Sequence, residues 1–373
     1  MSATAGRARV VVAGLGDTGL IAAVNLARYH RKLDLVGIST KPAWLSGRDV
    51  GLRLARPERW AGQYNIAFSR FPAMDRTRVV HGTLTGLDEG ARTVTVRSAE
   101  GAMTCEPYDA LLIATGVRND AWRRPDLQDQ TGIEDNLSMM HTRVAAAESI
   151  AIVGGGPAAM GSAAQLAETF PRKQVSVYFP GDRGLTRHHP RVWDLVRSRL
   201  ERLGVHLHPH HRAEVPPETS LSSGPVRFTT GQPPAEAALV LWAIGRVRPN
   251  TEWLPPALLD AKGFVRVEAN LSVPGHNGIW AVGDVAASDP LRATARNNGA
   301  QLVARNIAGS LRGRRTRTWR PPSHVQGSVL GPLRDGLHVF LASGGAFRYS
   351  LRVHDFLERH ITSRLIYRGI RAK

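Results

Sequence analysis

The stretch Val11-Val12-Ala13-Gly14-Leu15-Gly16-Asp17-Thr18-Gly19 is a β-branched run that ends in glycines spaced Gly-x-Gly-x-x-Gly, and Leu20 to Tyr29 continues it with helical periodicity. A strand, a tight turn and a helix in that order let backbone N–H groups approach a pyrophosphate seated on the helix N-terminus. The same pattern restarts 140 residues later, from Gly14 to Gly154, as Ile152-Val153-Gly154-Gly155-Gly156-Pro157-Ala158-Ala159. A third element, Gly278-Ile279-Trp280-Ala281-Val282-Gly283-Asp284, places a Gly-Asp pair at a strand end. One glycine loop alone is a weak signal, since a tight turn needs glycine for conformation only. The ordered set predicts a chain that holds two dinucleotides, a flavin and a nicotinamide, side by side.

Working outward, Leu33 to Ser39 and Tyr108 to Ala114 read as further strands of the first unit, and Val175 to Phe179 and Leu239 to Ala243 as strands of the second. Arg78 to Val80 and Thr93 to Val96 read as an antiparallel crossover. Helices are predicted over Ala158 to Phe170, Pro190 to Leu203 and Leu291 to Ala308. The predicted fold is α/β: two doubly wound Rossmann-like dinucleotide-binding domains, the second inserted in the first, plus a small C-terminal α/β extension. The expected boundaries are residues 1–120 and 251–320 for the first domain, 121–250 for the second and 321–373 for the extension.

The chain has 373 residues and a formal net charge of +18. That excess is almost wholly arginine. It reads as a solvated, arginine-rich surface more readily than as a phosphate-seeking face, and no nucleic-acid-binding motif accompanies it, so nucleic acid is excluded as a partner. Cys105 is the single cysteine, which removes an intramolecular redox dithiol and a cysteine-rich zinc site. Residues 1–9 show no signal peptide, and no apolar run approaches the ~18 residues of a bilayer span. A cytoplasmic location is expected.

The acidic residue that ends the second strand of such a unit binds a ribose hydroxyl. Here the first unit has Ser39-Thr40-Lys41 at that point and the second has Phe179, followed by Arg183, Arg187, His188 and Arg191. Without a carboxylate to repel a 2′-phosphate, these residues favour NADPH over NADH.

The two loops, Tyr108-Asp109-Ala110-Leu111-Leu112-Ile113-Ala114-Thr115-Gly116, Leu241-Trp242-Ala243-Ile244-Gly245-Arg246-Val247-Arg248-Pro249-Asn250 and Gly283-Asp284 resemble the FAD-dependent pyridine nucleotide–disulfide oxidoreductase superfamily over residues 8 to 310. Lacking a dithiol, the chain looks closest to the branch of type II NADH dehydrogenases and apoptosis-inducing-factor-like proteins. The resemblance implies that Gly14, Gly16 and Gly19, with Asp17 and Thr18, bind the FAD pyrophosphate, and that Ser39 stands at its ribose. It places Lys41-Pro42 and Leu45-Ser46 near the isoalloxazine, Thr115 and Gly116 beside FAD, and Gly283-Asp284 at the ribityl chain. A helix starting near Ala293 would point its positive end at the flavin. Gly154, Gly156, Pro157, Ala158 and Ala159 would hold NADPH or NADH, flanked by Gly245, with Arg183, Arg187 and His188 as phosphate contacts.

The implied activity is that of an FAD-dependent NAD(P)H oxidoreductase, passing a hydride from nicotinamide to flavin and on to a quinone, a small organic molecule, an electron carrier or oxygen. The rivals are a flavin-dependent monooxygenase and a non-catalytic flavin- or nucleotide-binding sensor or partner protein. Three departures bear on the choice: Gly161 and Gln165 stand where relatives carry glutamates, and Thr294-Ala295-Arg296-Asn297-Asn298-Gly299 replaces the quinone-enzyme helix pattern. No catalytic acid or base is identifiable.

His206, His208 and His210 alternate along a predicted strand, but no carboxylate or cysteine completes a ligand set, so no metal is expected. From Phe347 onward, Phe347, Leu351, Leu357, Ile361 and Leu365 form an apolar helical stripe opposite Arg348, Arg352 and Arg359. Such a basic amphipathic helix either lies peripherally on an anionic membrane or packs on its own domain or on the second copy of a homodimer; the packing reading is favoured.

Overall fold

The computed structural model describes residues 6–119, 123–217, 221–245, 247–291, 294 and 298–372, except the side chain of Arg359. The β-branched run at the N-terminus forms the strand Ala8–Ala13 at the centre of a five-stranded parallel sheet. Leu33–Ser39 and then Thr77–His81 lie on one side of it, and Ala110–Ile113 and then Ile279–Ala281 on the other. Side chains alternate across the pleat. Val10, Val12, Leu35 and Leu112 face the helices Asp17–Leu26 and Gly299–Ser310, while Val11, Ala13, Val36, Leu111 and Ile113 face Val94, Val96, Trp253 and Leu258. Both faces are covered, which is why these strands read as continuous apolar runs.

Thr77–His81 corrects one expectation. Arg78 to Val80 pair in parallel with Val36 to Ile38 and form the sheet's edge, whereas Thr93–Arg97 is the middle strand of a separate antiparallel sheet between Thr83–Asp88 and Met103–Pro107. The doubly wound order needs a third parallel strand, and topology overrides the short antiparallel look of this stretch.

The second sheet repeats the plan, with Ser149–Val153 central, Gln174–Tyr178 and His206–His208 on one side, and Leu239–Trp242 and the antiparallel Leu221–Ser222 on the other. Because Ile279–Ala281 joins the first sheet only after this second sheet is complete, the second unit is inserted in the first. His210 does not continue the histidine strand: it sits in a turn at φ +62°. Among the described residues no group of three or more metal-ligating side chains is found.

Of the helix expected over Leu291 to Ala308, the described part is Gly299–Ser310, entered from Asn298 at a left-handed φ of +58°, and residues 292–293 and 295–297 lie outside the described residues. The C-terminal extension is a three-stranded antiparallel sheet, Pro332–Leu333, Gly336–Phe340 and Ala346–Tyr349, leading into a helix from Leu351 to Leu365 whose turns widen over Leu357–Thr362. Phe347 therefore lies in a strand and not on the helical stripe. The helix leaves Val353, Phe356, Ile361 and Leu365 exposed, while Tyr367 beyond it is buried against Trp44 and Phe71. No described helix is long and apolar enough to cross a membrane.

Candidate functional site

At the end of the first strand Gly14 has φ +101°, and a Cβ there would lie 2.6 Å from the carbonyl oxygen of Ala114. Gly19 meets the same limit from the helix side, its missing Cβ 1.8 Å from the Gly14 oxygen, so it serves the close packing of helix on loop and does not line the site. Gly16 is different: nothing lies within 4 Å of its Cβ position, and it caps the Asp17–Leu26 helix facing open space.

That space is a cavity of about 990 Å³, at the upper end of the range of ligand sites. Gly14, Gly16, Asp17 and Thr18 form one end; Ser39, Lys41 and Ser46 continue the wall; Thr115, Gly116, Gly283 and Asp284 close it. The structure thus brings most of the first predicted set together. Pro42 is exposed beside the cavity, and Ala293 falls outside the described residues.

Several of these side chains already have partners. Asp17 accepts the Trp44 indole N–H at 3.2 Å and the Gly47 N–H at 3.1 Å, fixing the segment that forms the wall at Ser46. Ser39 accepts the Lys41 N–H at 3.0 Å, the turn that replaces the acidic residue. Thr115 and Asn250 exchange two hydrogen bonds, Oγ1 to the Asn250 oxygen at 2.8 Å and Nδ2 to the Thr115 oxygen at 2.9 Å, which pin the two interdomain connections together. The Gly283 N–H donates to Thr294 Oγ1 at 3.1 Å.

Lys41 is among the predicted residues; sequence reasoning missed the rest of the cationic lining. Lys41, Arg48, Arg53, Arg97, Arg118, Arg123 and Arg124 face four carboxylates, Asp17, Asp126, Glu252 and Asp284, an excess suited to a diphosphate. Burial lowers the Lys41 ammonium to about 8, against the attraction of Asp126 and with the repulsion of Arg124 and Arg53. Burial and Arg124 likewise lower the Arg53 guanidinium to about 10; its Cζ lies 4.9 Å over the Trp60 ring. No motif announces Arg123-Arg124; the only cue was two adjacent arginines shortly after Thr115-Gly116. With a glycine cradle, open length and surplus positive charge, this cavity fits FAD.

The second loop has the same shape. Gly154 has φ +141° with its absent Cβ 2.2 Å from the Ala243 oxygen, Gly156 opens onto free space, Pro157 is the first helical residue and Ala159 is fully buried. Ala158 is half-buried, and Gly245 follows the adjacent strand at φ +68°. This set lies outside the large cavity. Phe179 at the ribose position packs its ring edge-on against Trp193 at 5.5 Å and offers no polar atom. Arg187 is exposed, Arg183 is half-buried with Nη1 lacking a partner, and His188 is buried at 2 % exposure.

The two missing glutamates have physical reasons. A Cβ at Gly161 would lie 2.5 Å from the Val329 oxygen, and one at Gly51 would lie 2.5 Å from the Gly161 oxygen, so two helices and the C-terminal segment meet backbone to backbone. Gln165, 1 % exposed, donates Nε2 to the oxygens of Leu330 and Pro332 at 2.9 and 3.0 Å and accepts from Arg56 Nη2 at 2.6 Å. Only a neutral amide both donates and accepts; a carboxylate would face two carbonyls.

Comparison with known proteins agrees with this geometry. The sequence profile described as "Pyridine nucleotide-disulphide oxidoreductase" matches residues 8–306. The chain is 27% identical over 300 residues to Oxidoreductase ptaL of Pestalotiopsis fici, covering 79% of this chain and 77% of that one. It is 24% identical over 332 residues to Ferroptosis suppressor protein 1 of Homo sapiens, covering 86% of each. The ferredoxin reductase for the CYP199A2 system from Rhodopseudomonas palustris superposes with a TM-score of 0.65 at 18% identity, covering 95% of this chain and 94% of that one.

Proposed function

The chain belongs to the pyridine nucleotide-disulphide oxidoreductase family, whose cofactors are FAD and NAD(P)H, and on that premise we propose that the cavity at Gly14 holds FAD and the loop at Gly154 the nicotinamide dinucleotide. The observation that carries the reading is the cavity itself, which runs from an open glycine loop at a helix N-terminus to Asp284 and carries seven cations against four carboxylates. FAD, when bound, supplies an acceptor for the nicotinamide's hydride.

The chain's own residues bind and orient. Gly14 and Gly16 let the backbone come close to the pyrophosphate, Arg53, Arg123 and Arg124 neutralise it, and Lys41 stands near the isoalloxazine. Thr115 and Asn250 fix the angle between the two units, and Asp284 accepts from the ribityl chain. Gly154, Gly156 and Pro157 position the second pyrophosphate, and Arg183 and Arg187 supply the positive charge that favours NADPH. Residues 1–120 and 251–320 form the FAD unit, 121–250 the nicotinamide unit and 321–373 the extension. Hydride transfer needs alignment and no protein acid, so Gly161 and Gln165 do not abolish it. This intact architecture favours an oxidoreductase over a non-catalytic sensor. The acceptor is a quinone, a small organic molecule, an electron carrier or oxygen, and a monooxygenase is the alternative.

The test is spectroscopic. The purified protein should show a flavin band near ~450 nm that bleaches within seconds of anaerobic addition of NADPH. A flavin that stays oxidised with both NADPH and NADH, or no flavin after reconstitution, refutes the oxidoreductase reading. Tight coupling of NADPH use to an organic product, without peroxide release, would establish the monooxygenase.

A further inference from the structure

From Pro290 to Arg334 the sequence contains nine arginines and no aspartate or glutamate, so these 45 residues hold half of the chain's net charge of +18. A surface that is merely arginine-rich would not segregate its charge in this way. Six of the nine, Arg305, Arg312, Arg314, Arg315, Arg317 and Arg320, are exposed along one ridge formed by the Gly299–Ser310 helix and the segment after it. Among the described residues none of the six is ion-paired with a carboxylate. Asp289, the acid that precedes this stretch, is engaged by the Trp319 indole N–H at 3.3 Å and the Leu291 N–H at 3.0 Å.

The ridge continues around the first domain. The Arg312 Cζ lies 5.0 Å over the Tyr29 ring, which joins it to exposed Arg28, Arg31 and Lys32, and Arg28 in turn faces exposed Arg368. A notch of about 440 Å³ opens in the ridge between Asn298, Gln301 and Arg305 on one side and Arg317, Trp319 and Arg320 on the other. Its position matters. Thr294, which takes the N–H of Gly283 on the wall of the large cavity, lies four residues before Asn298 at the notch.

We propose that this ridge is the docking face for an acidic one-electron carrier protein. The proposal rests on the flavin reading above and names the acceptor for it. Each NAD(P)H gives up one hydride; its two electrons leave singly to two oxidised carriers, and one proton is released. Along Gly299 to Arg320 the exposed side chains are charged or polar, the apolar Leu302 and Trp319 at the notch are half-buried, and the large exposed apolar side chains, such as Phe356 and Leu365, belong to the C-terminal helix. An anionic membrane would want apolar side chains beside the arginines to enter the acyl boundary, and an acidic protein surface does not. Opposed charge patches also raise the association rate, which a carrier that turns over needs.

The experiment uses the full chain, an acidic [2Fe–2S] ferredoxin whose reduction potential lies above that of NADPH as probe, menadione as neutral acceptor, and the exposed triple variant Arg312→Glu, Arg314→Glu, Arg315→Glu. Wild type should bind oxidised ferredoxin and reduce it with NADPH, and both should weaken about tenfold between ~20 and ~300 mM NaCl. The triple variant should lose ferredoxin binding and reduction by about tenfold at low salt while menadione reduction stays within about twofold. Failure of wild type to bind ferredoxin, or equal binding by the triple variant, overturns the proposal. So does a variant that loses only binding to phosphatidylserine vesicles or to duplex DNA, which would assign the ridge to a membrane or a nucleic acid. If wild type reduces neither acceptor, the flavin reading has failed, and ferredoxin binding still decides the ridge.

Discussion

The guanidinium of Arg123 lies 2.7 Å from the carboxylate of Asp284, Nη1 to Oδ2, with both side chains on the wall of the large cavity. Asp284 is the residue whose carboxylate is expected to accept from the ribityl chain. On the flavin reading proposed above, Arg123 would keep that carboxylate from repelling a diphosphate in the same space. Arg123→Ala should therefore weaken FAD binding about tenfold, and Asp284→Asn placed on top of it should recover part of the loss, since the uncompensated charge is then gone. Quenching of FAD fluorescence on titration measures both. Additive losses in the double variant would show that the pair has no such role.

Gly161 and Gly51 mark where the two units and the C-terminal segment touch without side chains. Gly161→Ala, whose new methyl meets the backbone oxygen of Val329 at 2.5 Å, should destabilise by ~1–2 kcal/mol despite the better helix propensity of alanine. Gly62→Ala is the matched control: it lies in the helix Pro57–Tyr64 with nothing within 4 Å, so it should stabilise by ~0.5–1 kcal/mol. Urea unfolding midpoints read both, and a Gly161→Ala midpoint equal to that of wild type would mean the contact relaxes freely.

The two glycine loops and Gly283-Asp284 made the fold legible, because a strand–turn–helix with glycines at fixed offsets has few other uses. What stayed hidden is non-local. Arg78 to Val80 are too few and too exposed to announce a parallel edge strand, and only the sheet order assigns them. The left-handed backbone of Asn298 at the start of the Gly299–Ser310 helix lies inside a run that otherwise reads as helix. Phe347 fits a helical stripe by spacing, yet the hairpin pairing of Val339 with Phe347 claims it for a strand. In the site, backbone-defined positions were readable; the arginines were not, since side chains 48, 53, 118, 123 and 124 converge only through the packing of separate segments.

Lys41 predicts two opposite pH slopes. Its ammonium titrates at about 8 in the folded chain, lowered by burial, and near ~10.4 when unfolded. Between these values the unfolded chain binds more protons, so the ligand-free protein should gain stability from this group as pH rises from about 8 to ~10.4. Attraction for an anionic cofactor runs the other way: it is full below about 8 and fades above. Between about pH 7 and 9, below the range in which Arg53 loses its proton, FAD affinity should fall in wild type and stay flat in Lys41→Arg. Parallel affinity profiles for the two proteins would remove Lys41 from the site.

Coenzyme choice can be tested on the second loop without touching the core. Phe179 is locked against Trp193, so a carboxylate placed there would disrupt packing before it could bind a ribose. Arg187 is exposed and Arg183 has a buried Nη1 with no partner, leaving both able to take up a 2′-phosphate. Arg187→Ala should raise the KM for NADPH about tenfold while the KM for NADH changes less than about twofold, because only NADPH carries the extra dianion. Arg183→Ala should act in the same direction, and the pair should be less than additive if one phosphate bridges them. Steady-state rates with menadione as acceptor give all four constants. An enzyme that prefers NADH, with both substitutions silent, would mean that these arginines only coat the loop and that the coenzyme is selected by other side chains.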